Sequence, residues 1–226
     1  MYRYDNESTK RRRYILIVTR SSRKEIMNPS FGGSRLVKEI YERLVMKSFK
    51  VYILSLHDIS SIAAYFLRIK TKVNSVSRTK IKNERLKWIL NLLYNLLTEL
   101  LSWIDIKLRK EAAKKIEKLK VGAIIYNGSI GAFAFLKVAR ARTIPFILCE
   151  HNIDYYFYED KIGCNLLIKI YKVFELLSAK ASDTVICFNS RDKERLVKNG
   201  IPSEKIFLME FNVQAKKRYS KKEALN

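Results

Sequence analysis

The chain has 226 residues, 48% of them hydrophobic, with only seven glycines and three prolines, so it can bury a sizeable core and is neither low-complexity nor fibrous. Its 45 lysines and arginines against 22 acids give a formal charge of +23, which favours anionic partners such as phosphates, anionic lipid or nucleic acid without choosing among them. The three cysteines, Cys149, Cys164 and Cys187, form no CxxC pair, and no Cys/His cluster has ligand spacing, so reduced thiols and no metal are expected.

In chain order, residues 1–13 read as a basic tail. The apolar run at 14–18 is too short for a signal-peptide core and is soon followed by Arg20, so no secretion signal is read. Residues 14–19 (YILIVT) form the first predicted strand and 51–56 the second; between them Leu36, Val37, Ile40, Tyr41, Leu44 and Val45 recur at helical spacing. Further strands are predicted at 121–126, 146–149, 184–188 and 205–209, with helices at 130–141, 166–181 and 191–199. The last helix has Ser190 as its expected N-cap, Gly200 just past its end and Pro202 beyond. This alternation predicts an α/β domain over 14–213, a doubly wound, mostly parallel sheet of about six strands, followed by a second basic tail at 214–226.

One connection, between strands two and three, is too long for a plain crossover and is read as a helical insertion at about 60–118. Within it 86–104 is almost continuously apolar. Its polar positions Glu84, Lys87, Asn91, Asn95, Thr98, Ser102, Asp105 and Arg109 follow steps of three and four and form one stripe, which an amphipathic helix needs and a membrane-spanning helix does not. The apolar arc centres on Leu93, Leu97 and Leu100, flanked by Trp88, Leu92, Leu96 and Trp103. Two readings stay open: a core helix that also packs on a neighbouring helix, or an interfacial helix touching lipid. Lys80, Lys82, Arg85 and Lys87 before it and Lys107, Arg109 and Lys110 after it support the second.

Candidate chemistry gathers at strand ends. After strand one, Pro29, Gly32 and Gly33 lead into a helix, where backbone amides can approach an anion, although a flexible turn explains the glycines equally well. Neither GxGxxG nor GxxxxGK[ST] occurs, so no dinucleotide fingerprint or P-loop is supported. Asn127, Gly128 and Ser129 close strand three at a turn-to-helix corner, with Ser129 as the expected cap. Most informative is the passage from Ile144 and Pro145 through the short apolar strand into Glu150, His151, Asn152, Ile153 and Asp154. It sets one of the chain's two histidines on the strand edge where ligands bind in open α/β sheets. Gly32, Gly33, Asn127, His151 and Ser190 are expected to share that rim; His57 also follows a strand, but nothing converges on it. No GxSxG elbow supports a serine hydrolase.

Taken as an ordered set, these residues resemble the N-terminal, acceptor-side lobe of glycosyltransferase family 4 enzymes of the GT-B fold. Pro29, Gly32 and Gly33 are similar to that family's glycine loop, and Glu150, His151 and Asn152 to its histidine-bearing loop after strand four. Residues 181–190 (ASDTVICFNS) and 200–206 (GIPSEKI) are similar to its penultimate strand and final connector, and the resemblance covers about 14–213. It implies sugar transfer from a nucleotide-sugar donor with retained anomeric configuration, with no required metal and no tightly bound cofactor. The Gly32 and Gly33 amides would lie near the diphosphate and acceptor, His151 would be the catalytic residue that contacts the transferred sugar or its leaving-group region, and Asn127, Gly128, Asn152 and Ser190 would line the substrate. Glu210, Phe211, Asn212, Val213 and Gln214 stand where the family has a Pro-Asn-Gly-Val-Asp turn, and the donor-binding lobe is not in the sequence.

The expectation is therefore an acceptor-side lobe, inactive without a donor-binding lobe that is either encoded separately or truncated, and acting on a membrane-associated or phosphate-bearing acceptor. A cytoplasmic location, peripheral at the inner face of an anionic membrane, follows from that reading and from the charge. The alternative is a nonenzymatic remnant that binds a partner or a membrane. A nucleic-acid role rests on charge alone, since no helix-turn-helix, zinc-finger or RNP pattern is present.

Overall fold

The computed structural model describes residues 14–29, 32–62, 65, 83–150, 152–163 and 165–209. Strands β1 (Tyr14–Thr19), β2 (Lys50–Ser55), β3 (Val121–Asn127), β4 (Phe146–Glu150), β5 (Thr184–Cys187) and β6 (Ile206–Leu208) form one sheet in the order β2-β1-β3-β4-β5-β6. Every pairing is parallel. Parallel strands are covered on both faces, which is why β1 reads as an unbroken apolar run and why Leu16, Ile17 and Val18 are all fully buried. The expected strands agree with the observed ones to within a residue at each end.

The helices are α1 (Arg23–Met27), α2 (Gly32–Met46), α3 (Glu84–Ile104), α4 (Ile106–Leu119), α5 (Ala132–Ala141), α6 (Asp154–Ile162), α7 (Leu166–Ala181) and α8 (Ser190–Lys198). Alternate strand residues point to opposite sides. Ile17, Ile125 and Cys149 pack with Ile26 of α1 and Leu36, Val37 and Ile40 of α2. On the other face Leu16, Val18, Ile124, Tyr126 and Leu148 join a larger core that takes residues from each of α3 to α8. The doubly wound expectation holds, with unequal cover on the two faces.

Helix α3 reverses the expected amphipathicity. Asn95, Thr98 and Ser102 of the polar stripe, together with Glu99, are buried, whereas Leu93, Leu97 and Leu100 at the centre of the apolar arc lie 42–51% exposed. Local hydrogen bonds make the inward polar face tolerable. Asn95 Nδ2 donates to Tyr158 Oη at 2.7 Å, Thr98 Oγ1 to the Tyr94 carbonyl at 2.8 Å, Ser102 Oγ to the Glu99 carbonyl at 2.8 Å, and Glu99 accepts from the Gly131 amide. Leu92 and Leu96 complete the buried side, and Trp103 packs on Phe133 and Phe174 with ring centroids 4.5 and 5.7 Å away.

The stripe also does not run on to Arg109, because the helix stops at Asp105. That residue closes α3 and caps α4, its Oδ1 accepting from the Leu108 amide at 2.8 Å, and the two helices meet at 66°. Among the described residues no single helix is long and apolar enough to cross a membrane; the bent α3–α4 pair passes that test only by length and composition.

Two expected caps are corrected. Ser190 is the first residue of α8, and the cap is Asn189, whose Oδ1 accepts from the Asp192 amide at 2.7 Å. Asparagine places its acceptor at the same reach as serine, so the boundary moves by one residue. Ser129 does not cap α5 with its side chain; its carbonyl accepts from the Ala132 amide at 3.0 Å and Gly131 occupies the cap position. Beyond α8, Gly200 has a φ of +80°, the left-handed stop expected there.

Candidate functional site

From β1 the chain steps outward to β2 and then returns past β1 to β3, so the strand order reverses between β1 and β3. The crevice beyond the carboxyl ends of those two strands is where an open parallel sheet offers a ligand site. On one side stand Thr19, Arg20 and Ser21; on the other, Asn127, Gly128 and Ser129. Asn127 Nδ2 donates to Thr19 Oγ1 across the gap at 3.3 Å, and the Ser21 amide donates to the same hydroxyl at 3.1 Å. Ser55, at the end of β2, donates to the Ser21 carbonyl at 2.9 Å, so three strand ends are tied together.

Gly128 is buried with a φ of +90°, and its amide donates to the Cys149 carbonyl at 2.8 Å. A side chain there would be strained by the backbone alone. A Cβ at that position would lie 3.5 Å from Arg20 Nη2, an ordinary contact, so the guanidinium stands close to this turn and the backbone conformation alone calls for glycine. Arg20 was not among the expected site residues. It is half-buried, and its charge opposes the burial penalty at Glu99, Tyr126, Glu150, Tyr158 and Tyr171. A lone arginine directly after a β-type run was the signal available in the sequence.

The next strand end supplies acids. Burial, then the neighbouring charges of Glu175 and Asp154, push the Glu150 carboxyl well above the ordinary carboxylate range. Glu175 is raised as well, by burial and then by Asp154, but the amides of Asp154 and Tyr155 donate to its two oxygens at 2.7 and 3.0 Å. Those two amides open α6, whose own N-cap residue Ile153 offers no side-chain acceptor, so α7 caps α6 through Glu175. Among the described residues Glu150 Oε1 and Asn127 Oδ1 have no hydrogen-bond partner. Of the two acids Glu175 is the better held as an anion and Glu150 the better proton holder.

Of the expected rim, Gly32 and Gly33 form the first turn of α2, and no acid lies in that turn to compete for its amides. Asn127 and Gly128 lie at the crevice itself. Asn152 is exposed just beyond β4, and Ser190 is exposed at the start of α8, two strands away from Gly128. His151 lies outside the described residues. His57 sits in a short 3-10 turn (Leu56–Asp58) at the end of β2, where its amide donates to Ser55 Oγ at 3.1 Å. Cys149 and Cys187 are free, buried thiols pushed up by burial and by Glu150, and Cys164 lies outside the described residues. Among the described residues no group of three His, Cys, Asp or Glu side chains could hold a metal ion.

The edge thus carries a guanidinium close to a glycine turn and a carboxyl that burial pushes well above the ordinary range, and the first turn of α2 holds no acid. Such a set can receive an anionic oxygen without repelling it. No protein-family model matches the chain, and no curated protein matches it either.

Proposed function

We propose that the chain is the acceptor-side lobe of a retaining glycosyltransferase, taking sugar from a nucleotide-sugar to a membrane-associated or phosphate-bearing acceptor at the cytoplasmic face of a membrane. The observation that carries this reading is the meeting of Arg20, Gly128 and Asn127 at the strand-order reversal; the first turn of α2, which carries no acid, supports it. Arg20 and the first-turn amides of α2 would hold a phosphate oxygen, and the burial that pushes the Glu150 carboxyl upward lessens the repulsion an ionised carboxylate would exert on it. His151 would contact the transferred sugar, with Asn152 beside it and Ser190 further along the rim. The donor's diphosphate would be gripped mainly by a second, donor-binding lobe, so residues 1–226 by themselves would need one for turnover.

The test is a transfer assay with a panel of nucleotide-sugars and lipid-phosphate acceptors, with and without a donor-binding lobe supplied in trans. The chain alone should show no transfer, and robust turnover by it would overturn the two-lobe requirement. With the lobe present, His151→Ala should lower turnover roughly tenfold or more, equivalent to about 1.4 kcal/mol of transition-state stabilisation, and His57→Ala should not. Equal losses would remove the special role of His151. Arg20→Ala should chiefly raise KM for the phosphate-bearing substrate. A second reading, a nonenzymatic module that binds a membrane or a partner, is favoured by the exposed leucines of α3, and it survives if no donor lobe restores turnover.

A further inference from the structure

The leucine side of α3 is larger than its three central residues. Leu86, Leu90, Leu93, Leu97, Leu100 and Ile104 follow steps of four and three, and each is more than 40% exposed. Helix α7, which packs against α3, carries a second stripe at the same spacing, Leu166, Ile170, Val173 and Leu177, exposed to a similar degree. Exposed large apolar residues are ordinary when scattered; ten of them in two stripes on adjoining helices mark an interaction surface.

The chemistry of its surroundings selects the partner. The carboxylates on the two helices are Glu84, Glu99 and Glu175; the last two are buried, and Glu84 is paired with Lys87 at 3.1 Å. Neither stripe carries an acid. Cations border them: Arg85, Lys169 and Lys180 are exposed on α3 and α7, and Lys161 at the end of α6 lies 5.9 Å from the ring centre of half-exposed Phe157. Phe157 meets Trp88 of α3 edge-on at 4.9 Å, and Arg85 Nη2 donates to the Ile162 carbonyl at 3.3 Å, so the start of α3 and the end of α6 meet at a corner that holds aromatic and basic groups. Tryptophan beside lysine and arginine, next to a stripe of leucine, suits the boundary between lipid headgroups and acyl chains. A second copy of the chain would also carry a net +23, and that like charge opposes self-association. The stripes also present no hydrogen-bonding group, and acyl chains require none.

We propose that the leucine face of α3 and α7 docks on an anionic lipid surface, with the leucines entering the acyl boundary and the bordering cations held at the headgroups. The helices lie in the plane of the interface and do not cross it. This docking does not rest on sugar transfer, since it needs neither donor lobe nor turnover.

The full chain is mixed with phosphatidylcholine vesicles, with and without one-third phosphatidylglycerol, and sedimented at low and high salt. Binding should require the anionic lipid at low salt, weaken as salt rises, and retain a salt-resistant part from the leucines. Leu93→Asp/Leu97→Asp should lower the partition coefficient at least tenfold, and Met46→Asp, an exposed apolar position on α2, should leave it unchanged. Both variants change exposed positions, and far-ultraviolet circular dichroism confirms that each is folded. Equal binding by the double variant, or an equal loss with Met46→Asp, overturns the proposal. It is also overturned if the chain is a dimer in solution that the double variant dissociates, which would assign the face to a second copy.

Discussion

Glu99 gives the sharpest test of how the domain is built, because it sits on the inward side of α3 with its carboxylate at the Gly131 amide. Burial pushes its pKa from 4.5 to about 7, against the lowering effects of the Gly131 amide, Trp103 and Arg20. The folded chain therefore binds a proton that the unfolded chain has already released at neutral pH. Stability from this group is fully present below the unfolded value and is lost as pH rises through the folded one. Applied between pH 5 and pH 8, that shift corresponds to a fall of about 2.5 kcal/mol, or about 1 M in urea midpoint at a slope of about 2 kcal/mol/M. Glu99→Gln removes the titration while keeping an acceptor for Gly131. The amide adds a second donor in a buried place, so the variant should be less stable at pH 5 by about 1 kcal/mol. By pH 8 the two curves should have crossed, leaving the variant the more stable. Glu150 and Glu175 add slope of the same sign to both proteins, so the difference between the curves isolates Glu99. Urea titrations at several pH values would measure it, and parallel curves would refute the inward, proton-holding placement of this side chain.

Leu92→Ala should cost about 2–5 kcal/mol and Leu93→Ala less than about 1, since the first is fully buried and the second 42% exposed; denaturation midpoints showing the reverse order would mean α3 is turned the other way. Glu175→Ala should destabilise by about 1–3 kcal/mol, because the amides opening α6 lose both acceptors, and amide exchange at Asp154 and Tyr155 should accelerate. A thiol reagent should find Cys149 and Cys187 unreactive in the folded chain and reactive in denaturant, as expected of buried thiols whose thiolate form is suppressed; labelling of either under native conditions would contradict the burial.

The sheet was legible because each strand is a short apolar run and the intervening helices carry their own periodicity. The window 166–181 delimits α7 to the residue. What escaped is what depends on distant contacts. Helix α6 carries no side-chain N-cap of its own and is closed by Glu175, twenty-one residues beyond its first residue, so local rules place nothing there. Helix α1 was legible in principle: Ser22 and Glu25 form a reciprocal capping box, with the Ser22 amide donating to Glu25 Oε2 at 2.6 Å and the Glu25 amide to Ser22 Oγ at 3.3 Å. At the site, residue types and strand ends located Asn127 and Gly128. Arg20 gains its meaning only when the β1–β3 neighbourhood brings it against Gly128, a pairing that strand order decides.

The orientation of α3 could not be read from periodicity, because a stripe gives a direction only once the solvent on each side is known. Turning the helix by half a turn would cover its leucines, and each buried leucine contributes roughly 1.5–3 kcal/mol in an aqueous setting. The observed orientation forgoes that gain. It keeps Leu92 and Leu96 inside, the Asn95–Tyr158 bond, the Glu99–Gly131 bond, and the contact of Trp103 with Phe133 and Phe174. Neutral hydrogen bonds contribute about 1 kcal/mol each when made, but leaving such groups unpaired in the core costs more, so the inner face holds its register. The leucines outside are then a cost only while they face water. Against acyl chains the same residues recover their transfer energy without disturbing one contact inside, and α7 presents a matching stripe beside them.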